Sequence, residues 1–184
     1  VMSSLLISTG TRGPRKGLVI RPPYHIVCQT TVEDVFIPSS IGSDMDEATP
    51  FTYDGGRVDP GEIQNVRYTV SETYMGDPVR MPVTTINGKR PGPNVFLSAA
   101  AHGDELNGVE VVREVAQEWD HEKLSGTLVC LPVLNVPAFI AQERYLPIYD
   151  RDLNRSFPGQ PDSTSAKRMA HRIFRNFLAP CDIG

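Results

Sequence analysis

Cysteine is scarce. The three present, Cys28, Cys130 and Cys181, are widely spaced and form no CxxC pair, and an odd count argues against a disulfide framework and fits a reducing compartment. Also missing is any run approaching the ~20 apolar residues of a membrane span. The opening VMSSLLIST has too short an apolar core for a signal peptide and no basic residue before it. A basic excess is lacking too: the formal net charge is -4, so no overall field gathers nucleic acid. Basic residues do cluster at Arg12, Arg15, Lys16 and Arg21, and again at Lys167, Arg168, Arg172 and Arg175, and each cluster reads most simply as a solvated face or tail. These absences leave the expectation of a soluble, cytoplasmic protein with neither nucleic acid nor membrane as partner.

The 184 residues are enough for one domain with a substantial core. Between Thr31 and Glu62 eight acids face a single base, Arg57, and glycine and proline interrupt the pattern often. Residues 1–60 are therefore expected to be an irregular or β-rich segment, partly disordered at the front. Residues 61–184 read as an α/β unit. EIQNVRYTVSETY alternates as a strand, PVRMPVTTI is β-branched and bounded by the tight-turn pair NG, and NVFLSAAA is a continuous apolar run suited to a buried strand.

From Glu105 the period changes: Leu106, Val109, Val112, Val115, Ala116 and Trp119 recur at helical steps. GTLVCLPVLN then reads as a second buried strand, with Cys130 a small core hydrophobe, and VPAFIAQERY as a short helix with proline near its start. A last helix carries the stripe Ala166, Met169, Ala170, Ile173, Phe174, Phe177 and Leu178, with Ser163 or Ser165 as its expected cap. APCDIG looks like the approach to one more strand. The strand and helix order implies a mixed, largely parallel sheet flanked by helices, cut short at the C-terminus.

Two stretches carry chemistry. In AAAHGDELNG, His102 and Glu105 stand three apart where a strand yields to a helix. That placement can turn imidazole and carboxylate toward one ion at the carboxyl end of a sheet, with Gly103 letting the backbone bend. Alone, the spacing is common, and a hydrogen-bonded loop is the simpler reading. In RDLNRSFPG, Asn154 and Arg155 could orient a substrate carboxylate, since a guanidinium forks onto it with two bonds. The bland alternative is a turn capped by Asp152, with Arg155 paired to a surface acid.

Taken together, HGDELNG and DLNRSFPG, with PGPNVFLSAA before and PVLNVPAF between, resemble the succinylglutamate desuccinylase/aspartoacylase family of zinc-dependent hydrolases, relatives of the zinc carboxypeptidases. The resemblance covers roughly Gly56 to Gly184. It implies a Zn2+ cofactor with His102 and Glu105 as two ligands, and Asn154 and Arg155 as the clamp on the substrate carboxylate. Arg144, in ERYLP, resembles the arginine that polarises the scissile carbonyl, at a looser spacing. Asp104 and Asp152 belong to the motifs without an assigned chemical role.

The family takes its third zinc ligand from a histidine on the next strand, which here would begin near Asp182, and its general base from further on. The other histidines, His25, His121 and His171, read as surface or helix-flank residues. The chain is thus expected to be an N-terminal fragment of a longer enzyme, inactive as it stands. A stop codon directly after Gly184 in the parent gene, with no histidine-bearing strand downstream, would refute that. For the intact enzyme the implied reaction is zinc-dependent amide hydrolysis of small N-acyl amino acids or related acyl amides. A metallocarboxypeptidase acting on peptide C-termini and a noncatalytic carboxylate-binding module remain open beside it.

Overall fold

The computed structural model describes residues 47–73, 75–147 and 150–184. Cys28, His25, the first basic cluster and the front of the acidic segment lie outside them. Two short strands, β1 (Phe51–Tyr53) and β2 (Gly56–Val58), form an antiparallel hairpin. Then follow β3 (Ile63–Glu72), β4 (Pro78–Asn87), β5 (Arg90–Ser98), helix α1 (Asn107–Glu118), β6 (Ser125–Leu131), the short helix α2 (Val136–Ala141) and helix α3 (Ser165–Ile173). A π-turn over Phe174–Leu178 extends α3.

The main sheet has the order β3-β4-β6-β5. It is mixed, as expected, but its parallel part is smaller than the alternation of strands and helices implies. β5 and β6 run parallel, whereas β3–β4 and β4–β6 are antiparallel. Nor does NG close a hairpin between β4 and β5, because β6 lies between them. The unit β5–α1–β6 is a βαβ crossover, and burying the apolar run of β6 at the sheet centre outweighs a local turn preference. At Gly88 the chain passes so close to the start of β6 that an added Cβ would lie 2.3 Å from Leu124 O.

Strand periodicity divides the core. Leu128 and Cys130 of β6 face α1 with Val95, Val112 and Val115, while Val129 and Leu131 face α3 with Phe96, Met169, Ile173 and Phe177. The expected stripe of the last helix packs into the core except for Phe174, which is only half-buried; Thr164 occupies the N-cap position and makes no side-chain cap bond, so neither Ser163 nor Ser165 caps the helix. Leu106 does not join the stripe of α1; it sits at the helix entrance and is 51% exposed. Burial pushes the Cys130 thiol up to about 12, consistent with an inert core hydrophobe.

Phe177 is wholly buried and packs edge-on against Tyr68, with ring centroids 4.9 Å apart. Phe177→Ala is expected to destabilise the chain by about 3–5 kcal/mol, read as a lower urea midpoint at unchanged slope.

The last residues begin another pairing. Phe96 N–H donates to Ile183 O at 2.8 Å and Val95 bridges Ile183 in parallel, so the segment read as a strand approach lies along the outer edge of β5.

Candidate active site

β5 and β6, being parallel, deliver their carboxyl ends to the same rim, where open α/β sheets bind ligands. The loop leaving β5 is pinned there by backbone bonds from the segment after β6, Leu134 N–H to Ala99 O and Asn135 N–H to Ala100 O, both 2.9 Å. Ala100 is held at φ 48°, a left-handed conformation that costs a non-glycine residue on the order of 1 kcal/mol and persists only where surroundings impose it. Asn135, fully buried, is one such surrounding. Its Nδ2 donates to Ala101 O at 3.2 Å, and its Oδ1 accepts from Ala138 N–H at 3.3 Å, capping α2.

The loop brings His102 and Glu105 together. His102 is 7% exposed, and its Nδ1 lies 3.0 Å from Glu105 Oε1. Its Nε2 lies 3.2 Å from Asp152 Oδ1. Asp152, one of the two motif acids without a role assigned from the sequence, is thus the second partner of the ring. Its Oδ1 also accepts the backbone N–H groups of Asn154, at 2.9 Å, and Arg155, while Oδ2 pairs with Arg155 Nε at 3.3 Å. The bland reading of this stretch is therefore correct in part: Asp152 does cap a turn, and Arg155 does pair with an acid. The acid is Asp152 itself, and the turn it caps is aimed at the histidine. The available signal was an acid two residues ahead of the asparagine in DLNR, since ligand histidines commonly donate their second N–H to a carboxylate.

Leu153, wholly buried between them, anchors the segment to the core. Asn154 and Arg155 stay exposed, and among the described residues neither Arg155 terminal nitrogen has a partner. Arg144 reaches the same rim from beyond α2. Its Nη1 donates to Glu105 Oε1 at 2.9 Å, and that bond holds its pKa above the ordinary guanidinium value. Tyr145 stands edge-on to His102, with ring centroids 6.3 Å apart.

His121 lies beside Glu122 on the α1–β6 turn, and His171 sits on α3, so neither joins this cluster. Among the described residues, no group of three or more histidine, cysteine, aspartate or glutamate side chains is placed to hold an ion. The pair itself suits a metal as two of its ligands. With Asp152 taking an N–H from Nε2, the Nδ1 lone pair faces a carboxylate oxygen, an arrangement that is favourable only with a cation between them, a proton or a metal. Two donors of one tetrahedral zinc stand roughly 3.4 Å apart, close to the 3.0 Å seen. Asp152→Asn, which can donate to Nε2 and turn the Nδ1 lone pair into an N–H, is expected to weaken zinc binding about 10–100-fold in a chelator-competition titration.

Comparison with known proteins places the chain's family and fold. Residues 91–184 match the model of the succinylglutamate desuccinylase/aspartoacylase catalytic domain. The N-alpha-acetyl-L-2,4-diaminobutyric acid deacetylase of Halomonas elongata is 31% identical over 105 residues, 57% of this chain and 30% of that protein. A succinylglutamate desuccinylase of Burkholderia orbicola is 41% identical over 80 residues, 43% of this chain and 22% of the relative. The chain therefore spans less than a third of the length of either. Among solved structures, the product-bound ectoine utilization protein EutE (DoeB) of Ruegeria pomeroyi superposes with a TM-score of 0.63 at 30% identity, covering 76% of this chain and 42% of that one. A succinylglutamate desuccinylase/aspartoacylase of Rhodobacter sphaeroides gives 0.63 at 28% identity, covering 74% and 40%. Shared fold, matched motifs and a histidine held between two carboxylates lead to one assignment: the chain belongs to the succinylglutamate desuccinylase/aspartoacylase family.

Proposed function

We propose that the catalytic domain to which this chain contributes hydrolyses the amide bond of small N-acyl amino acids, with a zinc ion held in part by His102 and Glu105. The observation that carries the proposal is the Nδ1 and Oε1 pair, 3.0 Å apart at the rim, with Nε2 taken by Asp152. The names of the relatives, a deacetylase and a desuccinylase of acylated amino acids, support the substrate class. When bound, zinc supplies Lewis acidity, activating a water and polarising the acyl carbonyl.

The chain's own residues do the rest. Asp152 fixes the ring orientation and tautomer of His102. Arg144, tethered to Glu105 yet 46% exposed in its side chain, offers its remaining N–H groups to the oxygen on which charge develops; one well-placed donor of this kind is worth roughly 3 kcal/mol. Arg155 spends only Nε on Asp152, so its two terminal nitrogens can fork onto the substrate carboxylate while Asn154 bonds alongside, fixing the register of the acyl carbon. A strand continuing from Ile183 along β5 would reach the rim that holds His102, which is where the family resemblance puts the third ligand. With two proposed ligand side chains and no general base beside them among the described residues, this chain by itself is expected to be inactive.

The full-length protein, loaded with zinc, tests this against a panel of N-acyl amino acids and short peptides. Release of the acyl group from the former, with peptide C-termini left intact, is the expected result. Trimming of peptide C-termini instead would make it a carboxypeptidase, and no turnover with no bound zinc would make it a binding module.

A further inference from the structure

Glu105 carries two contacts on one oxygen. Its Oε1 faces His102 Nδ1 at 3.0 Å and accepts from Arg144 Nη1 at 2.9 Å, while Oε2 has no hydrogen-bond partner among the described residues. A cation seated between Nδ1 and Oε1 therefore shares its carboxylate oxygen with a guanidinium. Arg144 is held from a second side as well, because its Cζ lies 5.9 Å from the centre of the Tyr145 ring, within cation–π range. Tyr145 is fixed in turn. The next residue, Leu146, is buried and bridges Arg151 in antiparallel fashion, its N–H donating to Arg151 O at 3.0 Å. Tyr145 and Asp152 stand one residue out from that bridge on its two arms, and both reach His102, the phenol ring edge-on at 6.3 Å between centroids and the carboxylate at Nε2. One bridge thus places partners of both the histidine and the arginine.

The Arg144–Glu105 pair does little for the fold. Its side chains are 46% and 56% exposed, and exposed ion pairs add little to stability. Its consequence is local. A positive group donating to a ligand oxygen draws off the electron density which that oxygen offers a metal, and two cations on one oxygen repel. The same draw leaves a bound ion more electron-poor and a stronger Lewis acid.

We propose that Arg144, besides facing the oxygen on which charge develops, weakens the hold of Glu105 on zinc, so that the site binds the ion less tightly than its donors alone allow. The inference rests on the zinc site proposed above.

Chelator competition on the full-length protein, beside turnover of N-acyl amino acids, tests it. Arg144→Gln, which keeps an amide donor and removes the charge, is expected to bind zinc about tenfold more tightly than the wild type while turning over more slowly. Arg144→Lys, which keeps the charge, should stay near the wild-type zinc affinity. Arg113→Gln, which removes an equal charge from the exposed face of α1, should leave that affinity unchanged. Tighter zinc joined to slower turnover marks tuning, since a loosened loop would lower both. Where the wild type loses its zinc with His102→Ala, an Arg144→Gln protein that binds zinc no more tightly than wild type, or an Arg144→Lys protein as tight as Arg144→Gln, overturns this inference and leaves the zinc site in place. A wild type that holds no zinc, or holds it equally well after His102→Ala, overturns both.

Discussion

Alanine in place of His102 is expected to cost the full-length protein its zinc and its hydrolase activity together. An outer partner of a metal ligand, the part proposed for Asp152, is typically worth 10–100-fold in metal affinity, so removing the proposed ligand itself should exceed about 100-fold, visible as metal lost on dialysis. The loss has two sources. One is the missing donor. The other is the pair of carboxylates that the imidazole now separates, Glu105 on one nitrogen and Asp152 on the other, which face one another without it. Because His102 is nearly buried, the His102→Gln variant should be run beside the alanine. It keeps most of the volume and a polar tip, so zinc lost from a folded glutamine variant reports coordination and not collapse. Zinc retained at one equivalent by both variants would show that the ligand assignment is wrong.

Gly103→Ala is the second large effect, and its reason differs from the one the sequence offers. The local pattern predicts a glycine that lets the chain bend between His102 and Glu105. Gly103 does not occupy a positive φ; what it provides is room. A Cβ there would lie 2.1 Å from the carbonyl carbon and oxygen of Ala138 and 2.5 Å from Glu143 O. Those atoms are backbone, in α2 and in the turn that leads to Arg144, and cannot swing aside as a side-chain tip would. Something must shift, and overpacking of this kind typically costs 1–3 kcal/mol. The shift would carry Arg144 away from Glu105. The variant is therefore expected both to unfold at lower urea and to lose turnover by more than its stability loss explains. A Gly103→Ala protein with unchanged turnover and urea midpoint would show that the approach of α2 is not tight.

Much of this was legible in the order of residues because it depends on short-range periodicity. β6 reads as a continuous apolar run and is buried on both faces. The stripe of α3 reads at helical steps and is buried where expected. His102 and Glu105 are three apart, so one loop suffices to join them. Leu106 misleads because helical spacing says which face a residue would take, not where the helix begins. The NG pair misleads because a turn preference of a few tenths to one kcal/mol is local, whereas the insertion of β6 beside β4 is decided by burial of a whole strand.

The sequence by itself determined that His102 and Glu105 would meet on one loop and which strands and helices flank them, since each rests on neighbours a few residues apart, and it determined the family through two motifs standing in order along the chain. The tertiary structure alone decided that Asp152, fifty residues on from His102, would fix its ring, that α2 would crowd Gly103, and that Asn176 would reach back to Tyr68 and Asp54 across more than a hundred residues. Such contacts carry no spacing signal. They arise when parallel strands end on one rim and α3 packs across the sheet, and only the packed core sets which distant side chains then meet.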